Sequence, residues 1–281
     1  MFAAAAVVKD ERRGMLAELW DRLKGRQTKV TKHKAGSCSF WLIQSAQTRR
    51  GIDWDEISRL AGRDRTRLVL DPSVPIPEDV FIKRFVPGEF ALRLLANTAN
   101  QAVDDSRIEL YQRTVGLLDP EGRCQKLVLE LVKHFTAVKV YTQAPGRYQV
   151  FCRQMLEYYG VAVMVYDAPQ SLDDCILVLS PGGCSIGCRL PSDCPVVTAE
   201  EPEDCGGIPV SHLACAGGQA ILGQLPPGMS PTYFLAALYE LGRQRQLGSL
   251  AAESCRIGGR AAPTEEIPRL IRQRAQNLFY V

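Results

Sequence analysis

The chain has 281 residues, 46% of them hydrophobic, which is enough for one large α/β domain or two small ones with a sizeable core. Its 34 basic and 31 acidic residues leave a net charge of only +3, so we predict no nucleic-acid binding. The apolar start MFAAAAVV has no basic leader, and no run reaches the roughly 18 apolar residues of a membrane helix. We therefore predict a soluble, cytoplasmic protein with no membrane association.

The N-terminal part of the chain alternates between helical and extended patterns. Apolar residues at helical spacing predict an amphipathic helix over 10–24, within a segment rich in Lys and Arg. Strands are predicted at 38–45 and 66–71, on either side of a short helix with the capping sequence DWDE. Pro87 begins a further helix of about four turns. We expect residues 1–106 to form an α/β lobe, and whether its strands join the sheet of the remaining chain stays open.

A regular alternation of strands and helices follows in the middle of the chain. Strands are predicted for TVGLL, AVKVYT, VAVMVYD and DCILVLS, and amphipathic helices for RCQKLVLELVKHF and PGRYQVFCRQMLEYY. The strands are near-continuous apolar runs, which indicates that both faces of the sheet are covered. Strands separated by helices predict right-handed crossovers and a parallel sheet.

The last hundred residues begin with an irregular segment that is rich in Gly, Pro and Cys. Short strands are predicted at 195–198 and 207–215, and two helices follow at 230–244 and 264–281. We assign residues 107–281 to one α/β domain. The predicted fold is a doubly wound, mostly parallel sheet of about six strands, with an N-terminal helix and an irregular segment before the C-terminal helices.

Polar and glycine residues follow the carboxyl ends of the predicted strands. In an open parallel sheet, ligands bind beyond these ends, near the point where the strand order reverses. The residues at these ends are Asp119, Glu121, Gly122, Arg123, Thr142, Gly146, Arg147, Asp167, Ser180, Gly182 and Gly183.

In strand and helix order, residues 107–183 resemble the Rossmann-like NAD(P)-binding superfamily. The resemblance implies a cofactor at the loop DPEGR, but this loop has one glycine where the family fingerprint has three. Its two acids would repel a pyrophosphate, and its proline has no N–H to donate. We therefore disfavour NAD(P), and the cofactor stays unknown. If a cofactor binds, its candidate ligands are Gly122, Arg123, Thr142, Gly146, Arg147, Ser180, Gly182 and Gly183.

The same strand ends also resemble those of the haloacid dehalogenase-like phosphohydrolases. That family has a nucleophilic Asp after its first strand and Thr or Ser after the next, positions that Asp119 and Thr142 occupy here. The resemblance implies Mg²⁺-dependent phosphate hydrolysis with Asp119 as the catalytic residue. Glu121 departs from the second Asp of the family, and turn chemistry alone also explains a DPEG sequence.

Cysteines are concentrated in the irregular segment. Cys184, Cys188 and Cys194 are the candidate metal ligands, but the segment contains no C-x2-C pair of the kind that usually begins a structural zinc site. We therefore predict free thiols and no metal.

Three hypotheses for function remain. The leading one is a Rossmann-like module that binds a small ligand or a partner and has no competent dinucleotide chemistry. The alternatives are an NAD(P)- or nucleotide-dependent enzyme with a diverged loop, and a phosphohydrolase that uses Asp119. The sequence does not identify a partner, and both a protein partner and a homodimer stay open.

Overall fold

The computed structural model describes residues 1–9, 28–47, 51–182, 190–199 and 206–279. These residues fold as two compact units. Unit 1 comprises residues 1–90 and 216–248, and unit 2 comprises residues 91–215 and 249–281. The predicted helix over 10–24 lies outside the described residues.

A four-stranded sheet forms the centre of unit 1. Its central strand β1 is parallel to β3 and β4, whereas β2 is antiparallel to β3. Five consecutive residues of β1, from Phe2 to Ala6, are buried, so both faces of this strand are covered. The strands are β1 (Phe2–Lys9), β2 (Thr28–Ala35), β3 (Cys38–Gln47) and β4 (Val69–Leu70), in the order β2-β3-β1-β4.

The helices of unit 1 come from both of its chain segments. Helix α1 (Trp54–Ala61) begins at the predicted cap, where the Asp53 side chain accepts a 3.0 Å hydrogen bond from the N–H of Glu56. A single turn α5 (Gln219–Leu222) precedes α6 (Pro231–Glu240), which has seven consecutive buried residues. Phe234 of α6 lies edge-on to Phe40 of β3, with ring centroids 5.3 Å apart.

An eight-stranded sheet forms the centre of unit 2 within the described residues. It runs in the order β12-β11-β10-β9-β8-β5-β6-β7. Strands β5 to β10 are mutually parallel, and β11 and β12 add an antiparallel hairpin at one edge. The strands are β5 (Thr114–Leu118), β6 (Ala137–Tyr141), β7 (Val163–Tyr166), β8 (Leu177–Ser180), β9 (Pro195–Thr198), β10 (Ile208–Ala214), β11 (Ser254–Ile257) and β12 (Arg260–Pro263).

The parallel strands have the dinucleotide-binding strand order. Numbered from β5, their spatial order is 3-2-1-4-5-6, with the switch point between β5 and β8. The fold of unit 2 is therefore Rossmann-like, and the predicted mostly parallel sheet of about six strands is confirmed.

Two apolar clusters lie on opposite faces of this sheet. Leu177 and Leu179 belong to one cluster and Val178 to the other, as the alternation of side chains along a strand requires. The helices of unit 2 are α2 (Glu89–Ser106), α3 (Gln125–Leu131), α4 (Gly146–Tyr159) and α7 (Ile267–Phe279), and all four contribute to the larger cluster. In the described part of the chain, none of the helices combines the length and apolar character that a membrane crossing needs.

Local sequence patterns did not predict β1, β2 or the β11–β12 hairpin. The predicted domain boundary between residues 106 and 107 stays a prediction. The two compact units instead divide the chain after residues 90, 215 and 248. Most of α2 belongs to unit 2, because Leu95, Ala99 and Val103 pack in its core. Residues 216–248 belong to unit 1, where α6 packs on β3.

Candidate functional site

The loops after β5 and β6 lie side by side at the carboxyl edge of the Rossmann-like sheet. Leu118 and Tyr141, the last residues of these strands, are paired in the parallel ladder. The Thr142 hydroxyl donates to the Pro120 carbonyl at 3.3 Å, and the N–H of Gln143 donates to the same carbonyl at 3.0 Å. The structure therefore joins the two predicted loops directly.

Asp119 is the centre of this arrangement. Its Oδ1 accepts a 2.9 Å hydrogen bond from the N–H of Arg123, and its Oδ2 accepts one of 2.7 Å from the N–H of Cys124. The Tyr148 hydroxyl, which comes from the first turn of α4, donates to Oδ2 at 2.7 Å. Only 3% of the Asp119 surface is exposed, so these three donors replace water almost completely.

The contacts of Asp119 occupy the place where this fold usually receives a phosphate. In dinucleotide-binding proteins, backbone N–H groups at the entry to the first helix hold the pyrophosphate. Here, the N–H groups of Arg123 and Cys124 at the entry to α3 already donate to a carboxylate from the same chain. Asp119 thus supplies an internal anion at this position.

The groups around Asp119 are held in their neutral forms. Burial, followed by the hydrogen bond to Asp119 and its charge, raises the pKa of Tyr148 far above its ordinary value. Burial and then the Asp119 carboxylate raise the pKa of the Cys124 thiol to about 12. Tyr148 therefore acts as a donor to Asp119, and Cys124 has no thiolate character at neutral pH.

Gly122 and Arg147 close the outer side of the site. Gly122 has φ +67°, a conformation that favours glycine, and a Cβ at this position would lie 3.1 Å from Cδ of Arg147. The Arg147 guanidinium donates from Nη1 to the Glu121 carbonyl at 2.9 Å. The side chain of Arg147 therefore lies across the DPEGR loop.

The other predicted site residues that the structure describes are divided between buried and exposed positions. Thr142 and Ser180 are completely buried, whereas Gly146, Arg147, Asp167 and Gly182 are exposed. Arg123 is exposed and pairs with Glu121 at 2.8 Å. Gly183 lies outside the described residues.

The candidate metal ligands are not brought together in the described part of the chain. Cys194 is buried in the smaller apolar cluster, with its Sγ directed to the carbonyls of Cys175 and Pro195 at 3.8 and 3.7 Å. Cys184 and Cys188 lie outside the described residues. Within those residues, no group of three or more His, Cys, Asp or Glu side chains could hold a metal ion.

Two features were not predicted from the sequence. The helix that contains Tyr148 was predicted, but the contact of its hydroxyl with Asp119 was not, although a buried tyrosine hydroxyl usually requires a partner. The second feature is a cleft in unit 1 that is lined by Arg67, Arg84 and Arg245. These arginines are far apart in the chain, and no sequence motif connects them.

Comparisons with known proteins give fold-level similarities only. No protein-family model and no curated protein matches the sequence. Among solved structures, the chain is similar to L-tryptophan dehydrogenase from Nostoc punctiforme, with 15% identity, a TM-score of 0.33, and coverage of 100% of this chain and 90% of that chain. It is similar to D-lactate dehydrogenase with NAD+ from Lactobacillus jensenii, with 10% identity, a TM-score of 0.36, and coverage of 99% and 95%. It is also similar to quinate dehydrogenase from Corynebacterium glutamicum in complex with NAD, with 13% identity, a TM-score of 0.32, and coverage of 99% and 98%. At these identities and TM-scores, the similarity does not assign a function.

Proposed function

We propose that the protein is a Rossmann-like module that binds a small ligand or a partner and does not use the dinucleotide chemistry of its fold. The contacts of the Asp119 carboxylate with the N–H groups of Arg123 and Cys124 carry this proposal. A pyrophosphate at this place would have to displace a carboxylate that also accepts from the Tyr148 hydroxyl. The displaced Asp119 carboxylate would then lie close to the negatively charged phosphate, and Coulomb repulsion between them opposes binding.

The loop around Asp119 supports the same conclusion. Glu121 adds a second acid, and its exposed side chain pairs with Arg123, so this arginine is partly neutralised. Pro120 has no N–H, which removes one of the donors that a phosphate-binding loop would use.

An NAD(P)-dependent enzyme with a diverged loop is the second candidate, and the strand order 3-2-1-4-5-6 favours it. In that case the dinucleotide would bind outside the DPEGR loop, and the exposed guanidinium of Arg147, which lies across this loop, would be the candidate contact for its phosphates.

A cofactor titration distinguishes the two candidates. We expect no saturable change in NADH or NADPH fluorescence, and no thermal shift with either oxidised cofactor at about 1 mM. Saturable binding that Arg147→Gln weakens, and that Arg153→Gln on the same helix leaves unchanged, would contradict the proposed function and support the enzyme.

The phosphohydrolase hypothesis is tested separately. A nucleophilic carboxylate needs a free oxygen near the phosphorus, and both oxygens of Asp119 already accept hydrogen bonds. We expect no hydrolysis of p-nitrophenyl phosphate with Mg²⁺. Activity that is present in the wild type and lost in Asp119→Asn would favour this hypothesis.

A further inference from the structure

A charged cleft of about 370 Å³ lies within unit 1. Three arginines and two glutamates contribute to its wall, so the formal charge of the lining is +1. We call it the arginine cleft, and its charged residues are Arg67, Arg84, Glu89, Glu240 and Arg245. Its volume is at the lower end of the roughly 300–1,000 Å³ that is typical of small-molecule sites.

The backbone holds Arg67, the last residue of a 3-10 turn, next to the segment that carries Arg84. The N–H of Leu68 donates to the Lys83 carbonyl at 2.9 Å, and the N–H of Phe85 donates to the Leu68 carbonyl at 2.9 Å. Leu68 and Arg84 form a parallel bridge, so Arg67 lies one residue from the point of pairing. The two guanidinium groups are thus carried by a fixed piece of backbone.

Both glutamates of the cleft are committed to other groups. Glu240 accepts from the N–H groups of Gly88 and Phe90, each at 2.9 Å, at the start of α2. Glu89 accepts from the Tyr239 hydroxyl at 3.1 Å and pairs with Arg245 at 3.4 Å. These contacts fix both carboxylates in place, and neither glutamate forms an ion pair with Arg67 or Arg84 within the described residues.

Arg67 and Arg84 retain unused donors. The side chain of Arg67 is exposed and makes no hydrogen bond or ion pair within the described residues. Arg84 donates from Nη2 to the Val74 carbonyl, but its Nε is buried without a partner. The Nη1 group of Arg84 makes no hydrogen bond within the described residues, so it is a donor that an oxyanion in the cleft can use.

We propose that the arginine cleft binds a small organic anion through a carboxylate or phosphate group. The planar guanidinium forks of Arg67 and Arg84 match the paired oxygens of such a group. Val86 and Leu241 add apolar surface beside the charges, which suits a ligand with a short carbon body. The inference deepens the proposed function, on which it rests, by naming a ligand class and a site.

Isothermal titration of the full-length protein at low salt tests this inference. The probes are inorganic phosphate and malonate, and we expect saturable binding of at least one of them at a single site. Arg67→Gln should weaken that binding about ten-fold or more, because it removes a charge-assisted contact. Arg63→Gln, on the same exposed turn but outside the cleft, should leave the binding unchanged.

The two probes also distinguish the two anion classes. Tighter binding of phosphate identifies a phosphate ester as the ligand class, and tighter binding of malonate identifies a carboxylate. Arg84→Gln is a second variant, and its unfolding midpoint must be measured as well because Arg84 also bonds to Val74.

The inference would be overturned by the absence of saturable binding of both anions, or by binding that Arg67→Gln does not weaken. An NADH titration of the same sample separates this failure from a failure of the proposed function. NADH binding that Arg147→Gln weakens would contradict the proposed function. A lack of saturable binding of phosphate, malonate and NADH would overturn only the proposal that the arginine cleft binds an anion.

Discussion

The carboxylate of Asp119 has two oxygen atoms and receives three donors, so its contribution to stability is shared among several groups. An amide at this position keeps one acceptor oxygen, but its NH₂ group meets donors instead of acceptors. The cost of a change here comes chiefly from buried N–H and hydroxyl groups that are left unsatisfied.

We predict that Asp119→Asn lowers the free energy of unfolding by about 1–3 kcal/mol. Urea denaturation with a constant m-value measures this change. Asp167→Asn is the matched control, because Asp167 follows β7 of the same sheet but is exposed, and its effect should stay within about 0.5 kcal/mol. Equal effects of the two substitutions would show that the contacts of Asp119 are energetically unimportant.

The raised pKa of Cys124 predicts a loss of stability in alkali. Folding raises this pKa from its ordinary value of 9.0 to about 12, chiefly by burial and then through Asp119. The folded state thus favours the neutral thiol, and its contribution is fully present below about pH 9 and is lost as the pH rises toward about 12.

Urea unfolding at pH values from about 7 to 10.5 checks this prediction. The free energy of unfolding should fall more steeply with pH in the wild type than in Cys124→Ala, since the variant lacks the thiol. Parallel pH profiles for the two proteins would contradict it, because other groups would then account for the whole dependence.

At the scale of elements, the turn between β5 and α3 depends on one glycine. The N–H of Gly122 donates to the Asp119 carbonyl at 3.0 Å, which closes a tight turn with φ +67° at Gly122. By contrast, a Cβ added at Gly146, at the start of α4, would meet nothing within 4 Å. Gly122 and Gly146 therefore have different structural roles.

We predict that Gly122→Ala destabilises the protein by about 1–2 kcal/mol, whereas Gly146→Ala is neutral or stabilises it by up to about 1 kcal/mol. The first substitution forces a left-handed conformation and presses on Arg147, and the second only restricts the unfolded chain. Thermal denaturation of both variants measures the difference. A similar loss in both would mean that backbone strain at Gly122 is not the cause.

The elements of unit 2 were predictable because their patterns are local. The strands β5, β6 and β8 are apolar runs between amphipathic helices or turns, and this alternation implies a parallel sheet. Strand β1 was missed because alanine has a weak preference for strands, so its pairing with Leu42 and Ile43 in β3 determines its conformation. Such partners are not visible in a local window of sequence.

The candidate site was predictable only in part for the same reason. The position of Asp119 at a strand end follows from topology, so the sequence identified it as a residue to test. Its partner Tyr148 lies 29 residues away, and only the tertiary fold brings its hydroxyl to the carboxylate. The arginine cleft could not be predicted, since it combines residues from 67 to 245 of the chain.

At the scale of the whole molecule, unit 1 is built from two distant segments of the chain. Phe234 in the second segment packs on Phe40 in the first, and the Gln244 side chain donates to the Ala35 carbonyl at 2.6 Å. The buried helix α6 therefore supplies part of the core on which β3 depends. A fragment that ends before residue 216 lacks this helix.

We predict that a fragment of residues 1–106 does not unfold cooperatively, because removing α6 exposes the apolar residues that it covers on β3. A second fragment, with residues 1–90 joined to 216–248 by a flexible linker, should regain a cooperative transition because it contains all of unit 1. Circular dichroism melting of the two fragments and the full chain compares them directly. A sharp transition in the fragment of residues 1–106 would show that this segment is a domain by itself. Failure of the joined fragment to fold would show that unit 1 requires the rest of the chain.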